Sequence, residues 1–145
     1  MKLQIMKNLL LFSLIAFCSP SLFAQDSTKT AVPETFEYNW EGQDFTMQKY
    51  FIVFLKEGPN RSQSEEEASK IQQEHLAYLA GLYKKEIIVL NGPSQGDETI
   101  KGFSLYAVAT KEEAVALASK DPAVKAGRLI IEALPWWLAK GSVVK

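Results

Sequence analysis

The stretch "KYFIVFL" (Lys49–Leu55) decides how the rest of the chain reads. It is a β-rich apolar run, with Tyr50, Ile52 and Phe54 on one side and Phe51, Val53 and Leu55 on the other. Side chains alternate between the faces of a strand, so neither face of this one suits water. "EIIVL" (Glu86–Leu90) repeats the pattern, with Ile87 and Val89 opposite Ile88 and Leu90. A sheet of such strands needs cover on both sides.

Between these runs "KEGPNRSQ" reads as a loop, and Ser64 followed by three glutamates opens a helix that runs to about Lys84. A serine hydroxyl accepts from an orphan amide at a helix start, and acids suit its positive end. "NGPSQGDE" stops the second strand with strong turn chemistry. "KGFSLYAVA" (Lys101–Ala109) is a third strand, and "TKEEAVALASK" a second helix with Thr110 as cap and Glu113 completing a capping box. "DPAVKAG" makes a short turn before a fourth strand, "RLIIEALP" (Arg128–Pro135). The order β-α-β-β-α-β predicts an α+β fold, a ferredoxin-like βαββαβ subunit. Both helices then cover one sheet face. The apolar second face predicts a homodimer, because large bare apolar patches are rare on monomers.

Outside this core the signals are weaker. "TFEYNWEGQDFTMQ" alternates Phe36, Tyr38 and Trp40 with polar residues and breaks at Gly42, which suggests an added strand or hairpin. The tail "WWLAKGSVVK" carries no assignment, and Trp136 and Trp137 read as packing residues at a subunit interface or against the core. The divisions that follow are an extension over residues 25–48, a core over 49–137 and a tail over 138–145.

The chain of 145 residues is 47% hydrophobic and 23% charged, room for one domain of ordinary globular composition. A net charge of −1 gives no electrostatic footprint for nucleic acid. One Cys and one His are too few for a zinc site, and no Asp-rich loop suits calcium, so neither metal nor cofactor is expected. The first 24 residues place Lys2 and Lys7 before an apolar run from Leu9 to Cys18, with Pro20 and then Ala24 behind it. That is the layout of a secretory signal peptide. Cleavage after Ala24 would send the chain to the periplasm or medium, with no cysteine and no lasting membrane insertion. A lipid anchor on Cys18 fits poorly after the bulky Phe17.

Chemistry points first to His75. It lies four residues after Ile71, four before Leu79 and seven before Leu82, within an apolar helical stripe. The plain reading is a buried, hydrogen-bonded histidine; the functional one is a general acid or base oriented by a carboxylate. Asp121 is that carboxylate. Before Pro122 it reads as a helix cap, and a cap uses one oxygen while leaving the other free. Gly92 and Pro93 form a turn where backbone could approach a ligand closely. Tyr78, one turn past His75, is a core residue that could also turn its hydroxyl to a pocket. No Gly-x-Ser-x-Gly elbow is present.

Four motifs in order, "YFIVFL", "HLAYL", "NGP" and "KDPAVKAG", resemble the YCII-related family over about residues 49–137. The resemblance implies a dimeric α/β-barrel of ferredoxin-like subunits. It implies an acid–base pair at His75 and Asp121 and a Gly-Pro turn at Gly92 and Pro93. The leader, the extension and the Trp-Trp tail depart from the usual member. Three functions fit: a cofactor-free acid–base enzyme of lyase, isomerase or hydrolase type acting on a small organic molecule; a non-catalytic binder of a small ligand; or a structural homodimer of the cell envelope. An open cleft beside His75 separates the first two from the third.

Overall fold

Residues 31–96 and 99–144 are described by a computed structural model, so the expected signal peptide over residues 1–24 and the expected cleavage after Ala24 lie outside the described residues. In chain order the elements are β1 (Thr35–Trp40), β2 (Gln43–Glu57), α1 (Glu65–Lys84), β3 (Ile88–Pro93), β4 (Ile100–Tyr106), α2 (Lys111–Ala118), α3 (Pro122–Lys125) and β5 (Leu129–Ala139). β2 is the central strand. It pairs antiparallel with β4 and with β5, and β3 lies beyond β4. From β2 to β5 this is the expected α+β, ferredoxin-like βαββαβ arrangement, with α3 as one added turn.

Local chemistry explains most boundaries. Ser64 Oγ accepts from Glu67 N at 3.2 Å and the Glu67 carboxylate accepts from Ser64 N at 2.9 Å, a closed capping box. At α2, Thr110 Oγ1 accepts from Glu113 N at 3.1 Å, but the Glu113 carboxylate turns back one residue further, to Ala109 N. That box is half closed. The N-terminal extension forms a hairpin in which Trp40 pairs with Gln43 across Glu41 (φ 52°) and Gly42 (φ 78°). Two positive φ values in a two-residue loop make a type I′ turn, whose twist matches paired strands.

Two segments differ from the sequence reading. Asn91–Pro93 is the end of β3, paired with β4 through Gly92↔Phe103 and Pro93↔Gly102, rather than a turn beyond it. β5 continues past Pro135 through both tryptophans to Ala139. Both prolines sit on strands with a single neighbour, where a missing N–H removes no bond from an interior ladder.

The odd-numbered residues of β2 face the helices. Phe51 and Val53 pack with Leu79 and Leu82 of α1, Ala114 and Ala118 of α2, Ile88, Tyr106 and Ala133. Val53 and Ile88 are fully buried, which contributes about 1.5–3 kcal/mol for each side chain of that size. The even residues face away, and by register Tyr50, Ile52 and Phe54 lie beside Trp136, Leu134 and Glu132. On this second face Tyr50 is buried and Ile52 and Phe54 half-buried, while Ile130, Leu134 and Trp136 are 48%, 43% and 42% exposed. Trp137 turns the other way. Its ring meets Phe36 edge-on at 4.8 Å, with Lys49 Nζ 5.1 Å from its centroid, and so ties the hairpin to β5.

Candidate active site

α1 delivers His75 to the interior, where the imidazole is 6% exposed in line with Leu79 and Leu82. Asp121 comes from the opposite direction as the N-cap of α3 and is 1% exposed. Its Oδ1 accepts from Ala123 N at 2.8 Å, and its Oδ2 lies 2.7 Å from His75 Nδ1. One carboxylate therefore does both jobs, one oxygen to each. A carboxylate accepts, so Nδ1 is the donor and its hydrogen fixes the tautomer. Nε2 is left without a hydrogen-bond partner among the described residues.

His75 also lines a cleft of about 470 Å³, within the size range of small-ligand sites. Gln72, Leu76 and Leu79 of α1 form one wall, with Asn91, Gly92 and Pro93 of β3 opposite. Leu55, Gly102 and Ser104 close the floor, and Arg61, Arg128 and Leu129 stand at the loop side. Tight backbone packing builds that loop side. Gly58 N donates to Arg128 O at 2.8 Å and Asn60 N to Gly127 O at 3.0 Å. A Cβ at Gly58 would lie 2.3 Å from Gly127 O, so only glycine permits this approach.

The structure brings His75, Asp121, Gly92 and Pro93 to one region, and it separates Tyr78 from the cleft. The Tyr78 hydroxyl donates to Leu117 O at 2.7 Å, and the side chain does not line the cavity. Burial, and secondarily the charge of Asp121, pushes its phenol above the ordinary value. Gly92 lines the cleft, but a Cβ there would meet nothing within 4 Å. The glycine that space requires is Gly102, whose added Cβ would sit 2.6 Å from Gly92 O.

Several cleft residues escaped the sequence reading. Ser104 is 1% exposed, and its Oγ is buried with no hydrogen-bond partner among the described residues. It therefore makes no hydrogen bond to His75, and no Ser–His–Asp relay is assembled. Arg61 and Arg128 bring guanidinium groups, and no local pattern marked any of the three, since Ser104 between Phe103 and Leu105 reads as the polar side of a strand. Among the described residues, no cluster of three or more His, Cys, Asp or Glu gathers, and no helix is long and apolar enough to cross a membrane.

A family model described as the YCII-related domain matches residues 50–136. Among solved structures, the chain is similar to 5-chloro-2-hydroxyhydroquinone dehydrochlorinase from Burkholderia phenoliruptrix AC1100, in complex with 2,5-dihydroxybenzoquinone. That likeness has 24% identity and a TM-score of 0.43, and covers 60% of this chain and 90% of the other. No curated protein matches.

Proposed function

The chain belongs to the YCII-related family, and on that footing we propose that it is an exported acid–base enzyme that moves a proton on a small organic molecule without a cofactor. The observation that carries this reading is the division of one imidazole between two environments. Nδ1 is tied to Asp121 at 2.7 Å, while the ring lines a cleft of ligand size. His75 Nε2 takes a proton from an acidic carbon, Asp121 holds the imidazolium in place, and the proton returns at a second position or a leaving group departs. Ser104 makes no bond to the imidazole, which favours direct proton transfer over attack by a serine. The export part rests on the charged, apolar and small-residue order of residues 1–24.

The working unit is a homodimer that buries the second sheet face. Exposed Ile130, Leu134 and Trp136 beside half-buried Ile52 and Phe54 support it. Sedimentation at micromolar concentration should give twice the chain mass, and Leu134→Asp a monomer; a monomeric wild type refutes the dimer.

The proton transfer is tested in D2O with lactones, phenols and β-keto acids, reading deuterium uptake by NMR. Wild type should accelerate uptake for at least one class, and His75→Ala should abolish that while the fold stays intact by circular dichroism. Uptake at the buffer rate, or an unimpaired His75→Ala, overturns the reading. Ligand binding without exchange would instead favour a non-catalytic binder.

A further inference from the structure

The charge lining the cleft is one-sided. Arg61, Lys101 and Arg128 line it beside His75, whose carboxylate partner is Asp121, and no Asp or Glu lines it among the described residues. Two of these cations already have an acidic partner, since Glu57 accepts from Lys101 Nζ at 2.5 Å and lies 3.5 Å from Arg61 Nε. Those contacts hold the Glu57 carboxyl below its usual range. Arg128 is different. It is half-buried, its Nη1 donates to the neutral Gln63 Oε1 at 3.0 Å, and among the described residues no carboxylate pairs with it. A guanidinium partly withdrawn from water calls for an anion, which it binds through two parallel N–H groups.

Ser104 adds a second, independent observation. A buried hydroxyl with no partner is costly to leave unmade and rare in native proteins. This one lies in the floor of the same cleft. Leu55, Leu76, Leu79 and Leu129 give the cleft apolar surface, beside the neutral amides Gln72 and Asn91. The occupant that completes all three features has a negative group, an apolar body and a further oxygen.

Resting on the reading of this cleft as the substrate site, we propose that it takes a small organic anion, a carboxylate on an apolar or aromatic body. In this proposal Arg128 binds the carboxylate and the Ser104 hydroxyl bonds an oxygen at the other end. Holding the anion by its carboxylate leaves the body of the molecule over His75. The same positive surroundings would stabilise the negative charge that builds on a substrate when a base removes its proton.

The test uses 4-hydroxybenzoate and its uncharged counterpart 4-hydroxybenzamide as probes, with affinity by calorimetry on the chain from Gln25 onward. The acid should bind at least about ten-fold tighter than the amide, a difference of about 1.4 kcal/mol. It should also shift the single histidine's imidazole resonance, which locates it. Arg128→Gln should erase the preference by weakening the acid alone, and Arg128→Lys should restore part of it. Ser104→Ala should weaken acid and amide alike without lowering the melting temperature of the free protein. A merely structural serine would leave both affinities unchanged. Equal binding of acid and amide, a preference that survives Arg128→Gln, or binding of neither at millimolar concentration overturns the proposal. His75→Ala keeps the two readings apart, because it should lose proton exchange and keep the acid-over-amide preference. If exchange is never seen yet the preference stands, the enzyme reading fails and the anion site remains.

Discussion

Ser64 opens α1 and Asp121 opens α3, each by turning a side-chain oxygen onto a backbone N–H of the first turn, at 3.2 Å to Glu67 and 2.8 Å to Ala123. The two caps are the same device in different surroundings. Ser64 sits at the surface and its box closes on itself through the Glu67 carboxylate. Asp121 is buried, and no residue of its own turn occupies its second oxygen, which is bonded to His75 46 residues away. A hydroxyl offers one oxygen and a carboxylate two, so the carboxylate can cap a helix with one atom and reach an imidazole on the far side with the other. Local structure and candidate chemistry meet in that one side chain.

Removing Asp121 should have the largest effect. Asp121→Ala deletes a cap worth about 1 kcal/mol and strands the buried Nδ1–H at about 1–3 kcal/mol, so unfolding stability should fall by about 2–4 kcal/mol. Proton exchange in the cleft should vanish with it. Asp121→Ser sharpens the comparison, because it makes the second cap chemically like the first. Its hydroxyl can cap Ala123 again and recover about 1 kcal/mol, but it leaves His75 without its acceptor. Denaturant melts should show the partial recovery, and exchange should stay absent. If Asp121→Ser exchanges like wild type, the carboxylate is a cap and nothing more.

The same contrast explains what the sequence disclosed. The apolar stripe around His75 and the cap at Asp121–Pro122 are written in residues a few positions apart, so spacing alone shows both. That they touch followed from the β-α-β-β-α-β order, which brings the segment after the second helix beside the first. Ser104 and Arg128 were not legible as site residues. They reach the cleft only through the register of β4 against β2 and through the bonds from Gly58 and Asn60 to the segment before β5. Pro135 and Pro93 misled in the other direction. Proline reads as punctuation, but on strands paired along one side it interrupts nothing, so β5 absorbed both tryptophans and β3 absorbed the Gly-Pro pair.

A further difference between the caps is electrical and appears at alkaline pH. Burial, with smaller contributions from Tyr78 and Asp121, raises the Tyr106 phenol well above its ordinary 10.0. Below pH 10 the phenol is protonated in both folded and unfolded chains, so it contributes no pH dependence. Above it, the unfolded chain releases the proton while the folded chain keeps it. Stability should then fall by up to about 1.4 kcal/mol per pH unit for one phenol. Tyr106→Phe should flatten that decline in urea melts taken on either side of pH 10. Asp121→Ser should leave most of it, since burial is the larger cause; a decline lost in Asp121→Ser would mean the charge dominates.

The smallest effect belongs to the surface cap, and it bears on whether location decides what a cap can do. Ser64→Ala removes the hydroxyl that accepts from Glu67 N and should cost about 1 kcal/mol of stability. The Glu67 carboxyl, held below its ordinary value first by the Ser64 amide and then by the hydroxyl, should rise only part of the way back. The amide donor survives the substitution, and an NMR titration of Glu67 would read the difference. Cleft chemistry should not change. His75 is 11 residues further along α1 (75 − 64), anchored by Asp121 and by packing beside Leu79 and Leu82, so fraying of the first turn has no route to the imidazole. Wild-type exchange in Ser64→Ala, beside none in Asp121→Ser, would show that burial and a second oxygen separate the two caps. Reduced exchange in Ser64→Ala would instead show that α1 transmits disorder along its length, and that His75 depends on the whole helix rather than on its carboxylate.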